Sequence, residues 1–111
     1  MLRRPYLGEM ELMVLLVVVR LEDNAYGVPI ANELQNIAGR EAALGSIYAA
    51  LDRLANKGFV TSSLGEPTPE RGGRAKRYFH VTKSGVRALR DAHNALTNLW
   101  TGVPILEGEV L

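Results

Sequence analysis

The sequence contains no cysteine, which excludes a disulfide framework and any thiolate metal site and makes a reducing, cytoplasmic setting the natural expectation. Histidine is almost as scarce. There are two, His80 and His93, and neither has a carboxylate or a second histidine at metal-ligand spacing. No nucleophile, base and orienting group stand at recognisable spacings, so neither an enzyme nor a metal or cofactor protein is indicated. The longest apolar run, Leu12 to Val19, is far short of the roughly 20 residues that span a bilayer, and Glu9 and Glu11 before it do not suit a signal peptide. No membrane partner is expected.

An overall basic excess is missing too. The formal net charge is +1, whereas nucleic-acid-binding domains usually carry a clear positive balance. The distribution is nevertheless uneven. Between Arg53 and Arg90 nine basic residues stand against two acids, while the rest of the chain holds four bases and ten acids. A basic stretch of this kind is either a solvated face or the footprint of a polyanionic partner.

With 111 residues, 47% hydrophobic and 23% charged, the chain has an ordinary globular composition and room for one modest core. The first helix candidate runs from Gly8 to Leu21, and its stretch Val14 to Val19 is apolar on every side. Such a helix must be covered all round, which points to a second subunit. Asn24 is placed to cap a second helix from Tyr26 to Ile37, with Ile30, Leu34 and Ile37 on one face and Pro29 tolerated in the first turn. Gly39 ends it. A third helix begins near Gly45 or Ser46, turns Ile47, Leu51 and Leu54 inward and stops at Gly58. Phe59 to Leu64 and Arg77 to Thr82 are strand-forming runs on either side of a polar, basic segment containing Pro67, Pro69, Gly72 and Gly73, the pattern of a hairpin. Thr82 caps a fourth helix that reaches about Thr101, with Gly102 and Pro104 closing it. On this helix Val86, Leu89, His93, Leu96, Trp100 and Val103 recur at spacings of three and four, a heptad stripe suited to a partner helix.

The expected fold is therefore mainly α with a small β-hairpin wing. A winged helix-turn-helix over residues 1–82 continues into a C-terminal dimerisation helix over 83–103, within one globular unit. The tail 104–111 has no assignable role.

Several segments match, in order and spacing, the pattern of a known family. They are Tyr26-Gly27, Gly45-Ser46-Ile47-Tyr48, Leu51 with Arg53-Leu54, Lys57-Gly58, the wing run Gly72-Gly73-Arg74-Ala75-Lys76-Arg77-Tyr78, and Val81-Thr82 with Gly85. In these the chain resembles the PadR-like family of winged-helix transcriptional regulators. The resemblance implies a homodimer that binds double-stranded DNA at an inverted-repeat operator and represses until a signal, often a small aromatic or drug-like effector, releases it. Two positions depart from the pattern: Asp52 brings a carboxylate towards the phosphates, and Ala75 replaces a proline common in this wing.

Site expectations follow. The second helix of a helix-turn-helix presents its N-terminal residues to base edges in the major groove. Gly45, Ser46 and Ala49 permit close approach there, Tyr48 offers a hydroxyl, and Arg53 adds charge. Ser46 equally suits a helix cap, and Tyr48 equally suits a half-buried place between helix and wing. In the wing Arg74 is expected to enter the minor groove or reach the phosphates, with Lys76 and Arg77 beside it, although strand alternation argues against both of these facing DNA. Leu89, His93, Leu96 and Trp100 are expected in the dimer seam. Trp100 either anchors the dimer or lines an effector cavity. His93 is polar in an apolar stripe, so two copies facing each other would repel once protonated and loosen the dimer as pH falls from about 7 to 5. Exposure to solvent, or a hydrogen bond to a carbonyl, is its other reading. The alternative to DNA binding is a winged-helix protein-interaction and dimerisation module, and steep salt dependence would separate the two.

Overall fold

Four helices and one antiparallel hairpin follow one another along the chain: α1 (Glu9–Leu21), a 3-10 turn (Glu22–Asn24), α2 (Gly27–Ala38), α3 (Leu44–Asn56), β1 (Val60–Leu64), β2 (Arg77–Val81), α4 (Lys83–Trp100) and a last 3-10 turn (Pro104–Leu106). The computed structural model describes residues 6–66, 75–106 and 108. The order is that of a winged helix-turn-helix with an added C-terminal helix, as the apolar spacing predicts.

The core lies where α1, α2 and α3 meet and is closed below by the hairpin. Val14, Leu15 and Val18 of α1, Ile30 and Leu34 of α2, and Ile47, Leu51 and Leu54 of α3 are all essentially inaccessible to solvent. Phe59, Val60 and Phe79 bring the hairpin onto the same cluster. In the hairpin Val60 pairs with Val81 and Leu64 with Arg77, and the Gly65 amide donates to the Lys76 carbonyl at 2.7 Å, which carries the pairing one step towards the wing tip.

Three local expectations are corrected. Asn24 does not cap α2. It lies in the 3-10 turn, and the N-cap is Tyr26: the Tyr26 amide donates back to the Asn24 carbonyl at 3.2 Å and the Phe79 amide donates to the Ala25 carbonyl at 2.8 Å, so the helix begins only after the extended Tyr26. Ile37 is not core but 61% exposed, since the last turn of α2 is exposed throughout and runs past the surface it covers. Val103 falls outside α4, which ends at Trp100 and is turned away by Gly102 at φ 83°. Gly39, at φ 64°, ends α2 as expected, because only a residue without a Cβ adopts this backbone cheaply.

Thr82 joins the wing to α4. Its hydroxyl accepts from the Gly85 amide at 3.0 Å and donates to the Gly58 carbonyl at 2.6 Å. Beyond this joint α4 projects: Gly85 is its one buried residue, and the radius of gyration is 16.2 Å against about 13 Å for a compact chain of this length. The heptad stripe of α4 is left open, with Leu96 and Trp100 about half exposed. On α1, Leu16 and Val19 are likewise 45% and 40% exposed, so the described residues do not cover the apolar helix all round.

Candidate nucleic-acid interface

α3 starts at Leu44, with Ala43 as its N-cap. Ser46 is therefore the third helical residue and not the cap, and its exposed side chain is left for other partners. Gly45, Ser46, Ala49 and Arg53 are all exposed, opposite the buried Ile47, Ala50, Leu51 and Leu54. Spacings of three and four place Ser46, Ala49 and Arg53 on one outward face. A Cβ at Gly45 would meet nothing within 4 Å, so the backbone of the first turn is open to close approach.

Tyr48 packs against α2. Its ring covers the first turn of α2, where a Cβ on Gly27 would overlap the tyrosine hydroxyl and ring edge. The glycine in Tyr26-Gly27 thus leaves room for the Tyr48 ring against α2, and a Cβ there would force the tyrosine to shift.

Arg53 and Lys57 meet on Glu11, the one buried charged side chain among the described residues. The Lys57 ammonium lies 2.8 and 2.9 Å from the two carboxylate oxygens, Arg53 Nε is 3.2 Å from Oε2, and the Gly8 amide donates to Oε1 at 2.7 Å. Burial alone would raise the Glu11 pKa, but the Lys57 hydrogen bond, the Gly8 amide, the Lys57 charge and the Arg53 hydrogen bond together hold it below the usual carboxylate value. Two of the positive charges counted in the basic stretch thus share a single carboxylate within the fold, which offsets one of them.

At the wing, the strand alternation separates Lys76 from Arg77. The Lys76 ammonium lies over the Tyr26 ring, 4.7 Å from its centroid, and Tyr26 meets Tyr78 edge-on at 5.4 Å. Arg77 points to the other face and donates to Ser62 Oγ at 3.1 Å. Gly72, Gly73 and Arg74 lie outside the described residues.

Between α1 and α4 runs an apolar groove of about 390 Å³, walled in part by Leu12, Leu16, Leu89, His93 and Leu96. Trp100 is not among its walls; its indole N–H donates to the Leu106 carbonyl at 3.4 Å. Of the expected seam residues, Leu89, His93 and Leu96 are brought together here. Glu11, Tyr26 and Tyr78 were not singled out as site residues from the sequence. For Glu11 the position three residues after the N-cap Gly8 suits a glutamate that accepts from the N-cap amide, one half of a capping box, and that spacing is the signal that could have found it.

The family model of the transcriptional regulator PadR-like family matches residues 14–91, from α1 to the middle of α4. The chain belongs to the PadR-like family of transcriptional regulators. Among solved structures it is similar to a PadR family transcriptional regulator from Eggerthella lenta, at 26% identity and a TM-score of 0.68 over 88% of this chain and 83% of that one. A PadR-like transcriptional regulator from Bacillus cereus has the same fold at 22% identity and a TM-score of 0.71, over 91% and 93% of the two chains. A transcriptional regulator from Thermoplasma acidophilum aligns at 23% identity and a TM-score of 0.70, over 92% and 96%. Among curated proteins no significant match is found. Membership of this family makes the chain a DNA-binding transcriptional regulator and not an enzyme. No described helix is long and apolar enough to cross a membrane.

Proposed function

We propose that this PadR-like protein is a cytoplasmic homodimeric repressor that reads an inverted-repeat operator and is released by a small-molecule or stress signal. The reading rests above all on the outward face of α3, where Gly45, Ser46, Ala49 and Arg53 stand exposed on a helix whose opposite face is fully buried. A rigid helix with small residues at its N-terminal end enters a major groove; Ser46 and Ala49 then meet base edges, Tyr48 and Arg53 the flanking backbone. The wing adds Arg74 and one of Lys76 and Arg77, which strand alternation sets on opposite faces; the seat of Lys76 on the Tyr26 ring favours Arg77. Two such units related by a dyad, joined through the open α1 and α4 surfaces, require half-sites about 10 base pairs apart. The α1–α4 groove, of about 390 Å³, would also admit a small aromatic effector beside the seam.

Selection of duplexes from a random pool tests the reading. Sites with a dyad are expected, and their affinity should fall with salt at a log-log slope of about 0.9 per phosphate neutralised. Failure to enrich any duplex, or salt-independent association, would make the domain a protein-interaction module.

A further inference from the structure

The contact between Arg53 and Glu11 has an unusual form. The Glu11 carboxylate already has the Lys57 ammonium on both oxygens and the Gly8 amide on one, so it needs no further cation. Lys57 is itself fixed, donating to the Tyr6 carbonyl at 2.7 Å and lying 5.5 Å from the Tyr6 ring centroid. Arg53 reaches this anchored carboxylate through Nε alone, at 3.2 Å, while its side chain stays 52% exposed. Its two terminal amino groups form no hydrogen bond or ion pair with any described residue. The guanidinium is thus held by its inner edge with its outer fork free.

We propose that Glu11 is a positioning residue for DNA binding: it fixes Nε of Arg53 so that the two terminal amino groups are presented to a DNA phosphate from the last turns of α3. The inference rests on the reading above that the outward face of α3 meets DNA. Arg53 stands seven residues after Ser46 on that face, about 10 Å further along the axis, where a helix lying in the major groove meets the groove's backbone wall. A planar guanidinium carries five donors in a rigid fork, so one edge can rest on a carboxylate while the others engage a phosphate. An unrestrained arginine loses rotamer freedom on binding; one anchored in the free protein has already lost it. The burial of Glu11 matters here, because water screens a buried carboxylate little and the anchor persists at moderate salt.

Simple electrostatics makes the opposite prediction. A carboxylate near DNA repels phosphate, so its removal should tighten binding to every duplex. The test measures a duplex selected from a random pool with the wild-type protein and a scrambled duplex of equal length. Glu11→Gln, Arg53→Ala, the double variant and Arg53→Lys are compared over a range of NaCl, with circular dichroism and sedimentation confirming fold and assembly. Glu11→Gln is expected to weaken binding to the selected duplex about two- to tenfold, the range for ordering one long side chain. The same change should have no effect when Arg53 is already alanine. Arg53→Lys keeps the charge and leaves Glu11 intact but lacks the fork, and should bind nearly as weakly as Arg53→Ala. It also decides the matter should Glu11→Gln fail to fold, since wild-type affinity in Arg53→Lys overturns the proposal. Tighter binding of both duplexes by Glu11→Gln, or a loss of equal size with and without Arg53, overturns it and leaves the α3 reading standing. If Arg53→Ala binds like the wild type, or if no duplex is selected, the placement of Arg53 on DNA falls and the proposal with it.

Discussion

The ammonium of Lys76 sits 4.7 Å from the centroid of the Tyr26 ring, so the foot of the returning wing strand is tied to the residue that caps α2. A cation on an aromatic face at a surface site contributes about 0.5–1 kcal/mol. Lys76→Met keeps the stem and removes the charge, and is expected to lower stability by no more than about 1 kcal/mol. Its effect on the salt slope of DNA binding should be less than the ~0.9 of one phosphate contact. A full unit of slope lost in this variant would place Lys76 on a phosphate and make the tyrosine contact incidental.

Gly85 and Gly45 should respond oppositely to alanine. A Cβ on Gly85 would overlap the Phe59 carbonyl oxygen and a Val81 methyl group, and that carbonyl is held by the Thr82 amide at 3.0 Å. Overpacking of this kind costs about 1–3 kcal/mol, so Gly85→Ala should lower the melting temperature by roughly 5 °C or more. Gly45 lies in α3 with open space around it, where alanine favours the helix by about 0.5–1 kcal/mol. Gly45→Ala is therefore expected to be at least as stable as the wild type and yet to bind a selected duplex more weakly, because its methyl group intrudes on the groove. Undiminished DNA affinity would show that close approach at this turn is not used.

Glu11 is expected to contribute to the acid limb of stability. Its pKa is held below the usual carboxylate value, chiefly by Lys57 and the Gly8 amide working against burial. The folded state thus binds this proton less readily than the unfolded chain, so the contribution is present in full above the unfolded value of roughly 4.3 and is lost as pH falls through the lower folded value. Glu11→Gln should be less stable than the wild type at pH 7 and should approach it at pH 3. Parallel losses in the two proteins between those pH values, followed by thermal unfolding, would assign the acid limb to other carboxylates.

Where sequence patterning spoke clearly, one physical rule dominated. Ile47, Leu51 and Leu54 show the α3 face because nothing competes with their spacing, and Thr82 marks the start of α4 because its hydroxyl has an amide to cap. Asn24 had the right chemistry for a cap but stands in a turn whose exit is held by a long-range contact: the bond from Phe79 to Ala25 joins residues that no local window sees together. The same holds for Tyr48. Its composition suits DNA or wing, and only the tertiary approach of α2 and α3 shows that Gly27 makes room for it. In the candidate site the charges were legible but their pairing was not. Arg53 and Lys57 add to a basic stretch in the sequence, while Glu11, more than forty positions earlier, is what they meet in the fold.

Self-association should depend on the stripe of α4. Leu96 and Trp100 are 49% and 56% exposed, and Leu96 also lines the groove with Leu12 and Leu16 of α1. Leu96→Glu would put a charge on that surface, and burying it without a partner costs more than a small interface returns. The expected outcome is a folded monomer by sedimentation at tens of micromolar, with loss of dyad-dependent DNA binding. A variant that stays dimeric would move the interface off this stripe.

His93 provides the sharpest test of how that surface is used. It is exposed in the single chain and stands in the α1–α4 groove beside Leu12, Leu16, Leu89 and Leu96, with Arg90 one turn before it. Covering the groove with a second copy would bring a polar ring into an apolar seam, which fixes register at a cost in stability. The imidazole would lose its hydration there and, unless the partner supplies a hydrogen bond, oppose association. His93→Leu is therefore expected to dimerise more tightly than the wild type, and its DNA affinity should follow the dimer. Sedimentation equilibrium of the two proteins checks this directly. Equal dimer affinity in the two would place His93 outside the seam, facing solvent in the dimer.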